Sequence, residues 1–122
     1  MKPYQIEKVE NYRGSPVQSY EPREYKRLMS EKQADTVKEF MIGVVKNGTG
    51  KKLKDLEYEV AGKTGSAEFG KVKGNSHSWF TGFSDPYDPD IAVTVLMEGA
   101  GSGSDYAVPV AKRIFDAYYA QQ

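Results

Sequence analysis

A chain of 122 residues fits one domain or part of one, with a modest core. Seventeen basic residues balance seventeen acidic ones, so no net field points to nucleic acid or an anionic membrane surface. The absence of cysteine excludes disulfides, thiolate metal sites and a cysteine nucleophile; the single histidine, His77, argues against a His-based metal site or a self-contained Ser-His-Asp triad.

No apolar run approaches the roughly 20 residues that cross a bilayer, and the amino terminus carries no signal-peptide pattern. The chain itself is expected to be soluble, and any anchor of a longer parent would lie elsewhere. Over residues 1–28, Tyr4 and Ile6 alternate with polar residues, Asn11–Ser15 supplies turn chemistry, and Val17 and Tyr20 follow. This predicts a short polar hairpin and lead-in. A helix is predicted over 30–47. Ser30 and Gln33 form a Ser-x-x-Gln capping box, and Val37, Phe40, Met41, Val44 and Val45 make one apolar face. Asn47-Gly48 is expected to end it in the left-handed conformation.

Three strands are expected over 53–98. In the first, Leu56, Tyr58 and Val60 alternate with Asp55, Glu57 and Glu59. The second runs through His77–Phe83, where Trp79, Phe80 and Phe83 read as core and His77 as structural. The third, Ile91–Met97, is an almost unbroken apolar run, as in a strand covered on both faces. A glycine-serine stretch, Gly99–Ser104, reads as a flexible connection. Asp105 is expected to cap a final helix over 105–120, with Ala107, Val110, Ala111, Ile114 and Tyr118 on its apolar face and Pro109 in its first turn. Tyr118 and Tyr119 read as packing. Closely spaced strands favour an α+β fold with an antiparallel sheet.

Val60–Phe69, VAGKTGSAEF, invites two readings. A phosphate-binding loop needs Gly-x-x-x-x-Gly-Lys-Ser/Thr opening a helix. Counting back five from Gly62 reaches Glu57, whose carboxylate would repel phosphate. Gly65 is a poor helix former, and the preceding pattern is a strand. Gly99-Ala100-Gly101-Ser102-Gly103-Ser104 likewise misses the dinucleotide fingerprint, which needs glycine where Ser104 stands. As a strand, Lys63-Thr64-Gly65 would turn an ammonium and a hydroxyl toward one side, with glycine giving clearance. Ser66 adds a hydroxyl and a backbone N–H. Together they could hold a carboxylate and polarise a carbonyl.

The order Val60–Glu68, His77–Phe83, Ile91–Glu98 and Ala107–Lys112, preceded by Gly43-Val44-Val45 and Gly48-Thr49-Gly50, resembles the carboxy-terminal part of penicillin-binding protein transpeptidases, most closely the class B type. The resemblance covers nearly the whole chain and is weakest before Ser30. It implies a partial transpeptidase fold. Lys63 would supply positive charge, and the Thr64 and Ser66 hydroxyls would bind the terminal carboxylate of a D-Ala-D-Ala stem peptide or a β-lactam. Gly65 would give clearance, and the Ser66 N–H would be one of two oxyanion donors. Many members carry threonine where this chain has Ser66, and the hydroxyl is kept.

The family uses Ser-x-x-Lys, Ser-x-Asn and Lys-Thr-Gly. None of the chain's serines has lysine three positions on or asparagine two positions on. The expectation is a carboxy-terminal segment with no nucleophile of its own, inactive alone, whose parent cross-links peptidoglycan at the extracytoplasmic face of the bacterial cell membrane. No metal or cofactor is implied, and no nucleic acid. The alternatives are a β-lactam sensor domain, a serine β-lactamase or D,D-carboxypeptidase, and a non-catalytic interaction module. In the family, further strands of the sheet come from earlier residues. Ile91–Met97 is therefore expected to carry an unpaired edge, at which the chain could pair with the missing part of its domain or with a second copy as a homo-oligomer.

Overall fold

The computed structural model describes residues 2–71 and 74–121. Two compact units divide at Glu31. In the first, β1 (Lys8–Glu10) pairs antiparallel with β2 (Pro16–Ser19). Asn11 shapes the turn between them: its Oδ1 accepts the Arg13 and Ser15 N–H groups at 2.8 and 3.1 Å. Gly14 takes the left-handed conformation there, φ 77°, at little steric cost. The register shifts between Val9 and Glu10, opposite Pro16, which has no N–H to give the ladder.

The second unit contains α1 (Glu31–Asn47), β3 (Val60–Glu68), β4 (Ser76–Ser84), β5 (Ala92–Met97) and α2 (Val108–Tyr119). The strands form one antiparallel sheet in the order β3-β4-β5, so the expected α+β class and three-stranded antiparallel sheet hold. The core lies on the helical face of the sheet. Phe80 of β4, Val60 of β3 and Val93 and Val95 of β5 pack with Val108, Ala111 and Phe115 of α2 and with Leu53 and Val45. Gly62 and Gly82 stand opposite one another beside Phe80. A Cβ at either would lie 2.4 or 2.7 Å from the ring's Cζ, so the two glycines make the room that this ring occupies.

Several details differ from the periodicity. Only Ile42 and Val45 of α1 are buried, while Phe40 is 70% exposed and Val37 is also exposed. The apolar stripe is wider than the surface the sheet offers it. The helix ends without a left-handed residue: the Gly48 and Gly50 N–H groups both donate to the Val44 carbonyl at 3.0 Å. A Cβ on Gly48 would sit 2.9 Å from that oxygen, so glycine is needed for clearance rather than handedness.

Residues 54–58 form a turn and bends before β3 rather than strand. Leu56 and Tyr58 still pack on the core. β5 lies at the sheet edge, as the expected unpaired edge requires, but it is not covered on both faces. Its Val93 and Val95 are buried, whereas Ala92, Thr94 and Leu96 are exposed on the opposite face. Trp79 lies on that open face too, 38% exposed, whereas Phe80 is fully buried as expected.

The buried stripe of the last helix is Ala107, Val108, Ala111 and Phe115; Ile114 is 40% exposed. A π-type turn over Gly103–Ala107 precedes α2, and a π turn takes an extra residue, which shifts the buried face along the sequence. Asp105 makes no cap. It pairs with Lys52 at 3.1 Å. Pro109 sits in the first turn of α2.

Tyr58 Oη donates to Asp116 Oδ1 at 2.7 Å, and Lys112 Nζ reaches Asp116 Oδ2 at 2.8 Å. The Tyr58 ring stacks on Tyr119 with centroids 4.2 Å apart. Hydrogen bonding from Lys112, then from Tyr58, holds the Asp116 carboxyl below its ordinary range. Burial, then the bond to Asp116, pushes the Tyr58 phenol well above its own. This network ties the approach to β3 onto α2.

Candidate functional site

β3 is an edge strand, so half of its backbone groups meet β4 and half meet open space. The ladder bonds flanking it identify which. Asp85 N–H donates to the Glu59 carbonyl at 2.9 Å, and Phe69 N–H donates to the Asn75 carbonyl at 3.0 Å. The register between these bonds is unbroken. Stepping by two, Ala61, Lys63, Gly65 and Ala67 exchange bonds with β4. The N–H and C=O groups of Gly62, Thr64, Ser66 and Glu68 therefore face the free edge. Lys63 Nζ donates to the Thr64 carbonyl at 2.5 Å, in keeping with that assignment.

The strand's alternation separates the side chains that the motif lists together. Thr64 and Ser66 lie on the same face as the Phe80 side chain, toward the helical layer. Lys63 and Gly65 lie on the face of Trp79 and Thr81. Lys63 and Thr64 thus do not project to one side, contrary to the sequence expectation. They converge at the free edge instead, where the lysine bends along the strand. Lys63 is exposed and makes no ion pair among the described residues. Gly65 faces Trp79, whose Cβ would stand 3.3 Å from any Cβ placed on it.

The two hydroxyls are supported from outside the strand. Thr64, nearly buried, shares a 2.6 Å hydrogen bond between its Oγ1 and that of Thr49, in the loop after α1. Ser66 is exposed, and its Oγ accepts the Gly103 N–H at 3.2 Å. Sequence reasoning named Thr49 only as part of the family resemblance, not as the partner of Thr64, and it missed Gly103. A threonine between two glycines carries no spacing signal, and Gly103 sat in a stretch read as flexible.

In the structure Gly103 is buried against the sheet. His77 is held structurally: its Nδ1 accepts the Gly99 N–H at 3.1 Å, and its ring stacks on Phe69. A cleft of about 270 Å³ lined by Lys2, Tyr4, Tyr20 and Arg23 belongs to the first unit and includes no residue of β3. It lacks the hydroxyl and amide convergence of the β3 edge, which is the stronger candidate.

The chain is similar to known proteins in both sequence and fold. The family model described as the penicillin binding protein transpeptidase domain matches residues 1–116. The peptidoglycan D,D-transpeptidase MrdA of Haemophilus influenzae is 37% identical over 89% of this chain, which spans 20% of that relative's length. The D,D-transpeptidase domain of a peptidoglycan glycosyltransferase from Eggerthella lenta superposes with a TM-score of 0.79 at 33% identity, over 94% of this chain and 27% of that one. Penicillin-binding protein A of M. tuberculosis, as an imipenem acyl-enzyme complex, gives 0.82 at 27% identity, over 98% of this chain and 26% of that one. The chain, whose open-edged strand β3 bears Lys63-Thr64-Gly65-Ser66, therefore belongs to the penicillin-binding protein transpeptidase family.

Proposed function

We propose that the free edge of β3 binds the terminal carboxylate of a D-Ala-D-Ala stem peptide, or that of a β-lactam, within a D,D-transpeptidase that cross-links peptidoglycan. The observation that carries this reading is the outward direction of the Ser66 N–H beside the Lys63 ammonium, which makes no ion pair among the described residues, and the Ser66 hydroxyl. A carboxylate accepts hydrogen bonds and donates none, so it matches the Ser66 hydroxyl and the Lys63 ammonium. The Ser66 N–H, aimed away from β4, suits an oxyanion that forms as a carbonyl is attacked. Gly65 gives the backbone clearance for such an approach.

The attacking serine is supplied by residues outside this sequence. Its hydroxyl would add to the carbonyl of the penultimate D-Ala, and the terminal D-Ala would leave with a proton. An acceptor amine would then take the acyl group and regenerate the serine. The chain alone forms no acyl-enzyme. The setting of the whole protein is the extracytoplasmic face of the bacterial membrane. Among the described residues no helix is long and apolar enough to cross a membrane.

Titration of the ¹⁵N-labelled chain with D-alanyl-D-alanine, and separately with its C-terminal amide, tests the reading. The amide signals of Thr64, Gly65 and Ser66 are expected to move with the carboxylate form and to move far less with the amide. Equal responses to both ligands, or responses confined to other residues, overturn it.

A further inference from the structure

Ser66 Oγ receives the Gly103 N–H at 3.2 Å, and among the described residues nothing accepts the hydrogen that Ser66 itself carries. A serine hydroxyl has one hydrogen and two lone pairs. With one lone pair taken from the helical side, its hydrogen is left for an acceptor on the exposed side. The group that imposes this is 37 residues away in the chain.

Gly103 is there for steric reasons. A Cβ on it would lie 2.5 Å from the Gly65 carbonyl oxygen and 2.6 Å from that of Trp79, both backbone atoms of paired strands that cannot yield. Only glycine brings its N–H this close. The turn around it is fastened at both ends by Ser78, which stands directly opposite Ser66 in the β3–β4 register and is completely buried. Ser78 Oγ donates to the Ser102 carbonyl at 2.9 Å and accepts the Ala107 N–H at 3.0 Å, which commits its hydrogen. Lys52 Nζ adds a bond to the Ser104 carbonyl at 2.9 Å.

We propose that the Gly103–Ala107 turn, anchored by Ser78, is a positioning element that presets the Ser66 hydroxyl as a hydrogen-bond donor to a carboxylate at the β3 edge. The inference rests on the carboxylate reading of that edge. Ser66 touches the ligand, whereas Gly103 and Ser78 act through it. Two serines facing each other across a strand pair divide the work: one is saturated and holds the turn, and the other is held by the turn and left with a hydrogen to give. A preset donor loses less orientational freedom on binding than a free rotor does.

The test uses the full chain with D-alanyl-D-alanine and its C-terminal amide as probes. The preference for the carboxylate form is expected to fall roughly tenfold in Gly103→Ala and in Ser66→Ala, the scale of one charge-assisted hydrogen bond, and to persist in Ser66→Thr. In a Ser66→Ala background, Gly103→Ala should cause no further loss of preference, because both act through one hydroxyl. A merely structural role would give an additional loss there.

A ligand-free measurement runs beside it: the Gly103 amide should exchange with solvent at least roughly tenfold faster in Ser66→Ala but not in Ser66→Thr. If Gly103→Ala does not fold, the exchange measurement and the Ser78→Ala preference decide. Full preference retained in Gly103→Ala or Ser78→Ala, or unchanged Gly103 exchange in Ser66→Ala, overturns the inference. A wild-type chain with no carboxylate preference, but with its Gly103 amide protected through Ser66, overturns the carboxylate reading and the role assigned to the turn with it.

Discussion

Ser78→Ala should be among the most costly single-atom deletions in the second unit. The hydroxyl is fully buried and satisfies two backbone groups of the turn before α2, the Ala107 N–H and the Ser102 carbonyl. Ala107 is itself fully buried, so its N–H has no route to water once the acceptor is gone. An orphaned buried donor costs about 1–3 kcal/mol. Ser102 is only half-buried, so its carbonyl can recover a water and adds less.

The sum is about 2–4 kcal/mol, which for a unit of this size lowers the melting temperature by about 10 °C or more. Urea unfolding followed by far-ultraviolet circular dichroism measures it. Ser104→Ala, which removes only a half-buried hydroxyl pair with Ser102, is the control and should stay within about 0.5 kcal/mol. A Ser78→Ala loss no larger than that of the control would refute the assignment of Ser78 as the anchor of the turn.

The β4-to-β5 register places the Ala92, Thr94 and Leu96 backbone groups on a free edge, since the Ser84 N–H bond to the Ile91 carbonyl fixes the alternation. Leu96 is 45% exposed beside it. The isolated chain should self-associate as its concentration rises, and Leu96→Lys should reduce this by placing a charge at the edge; a wild-type chain that stays monomeric throughout in light scattering speaks against edge pairing. Thr49→Val should cost about 1 kcal/mol in urea unfolding by removing the partner of the Thr64 hydroxyl, and Thr49→Ser should cost less; equal losses would mean that shape rather than the hydroxyl matters.

The Tyr58–Asp116–Lys112 network predicts pH dependence at both extremes. The Asp116 carboxyl is held low when folded, so its contribution is present above the ordinary carboxylate range and is lost as pH falls through the folded value. The Tyr58 phenol is held high, so its contribution is present below about pH 10 and is lost as pH rises above that. Tyr58→Phe should flatten the alkaline fall in the urea midpoint; an unchanged slope would exclude Tyr58 as its source.

The helix, the second and third strands and the last helix were legible, because burial of one face writes a period into the sequence. The alternation through Leu56 and Tyr58, by contrast, lies before β3 rather than in it. Lys63, Thr64, Gly65 and Ser66 were singled out by the family resemblance rather than by spacing, while Glu57, Gly65 and the strand pattern before them discarded a phosphate loop. The errors arose where periodicity says that a residue is apolar but not what it meets. Phe40 and Trp79 are apolar, yet both lie substantially exposed. Ile91–Met97 carries the open edge expected of it but reads as doubly covered, whereas only one of its faces is buried. The extra residue of the π-type turn moved the contact stripe of α2 to Val108 and Phe115.

By itself the sequence determined the α+β class and the order of helices and strands along the chain, since each depends on neighbours within a few positions. Only the tertiary structure decided which groups of β3 face open space, and that Lys63 and Thr64 meet at an edge rather than on one face. It alone brought Thr49 and Gly103 to the two hydroxyls. Those contacts join residues 15 and 37 positions apart, and a long-range hydrogen bond leaves no period in the chain that makes it.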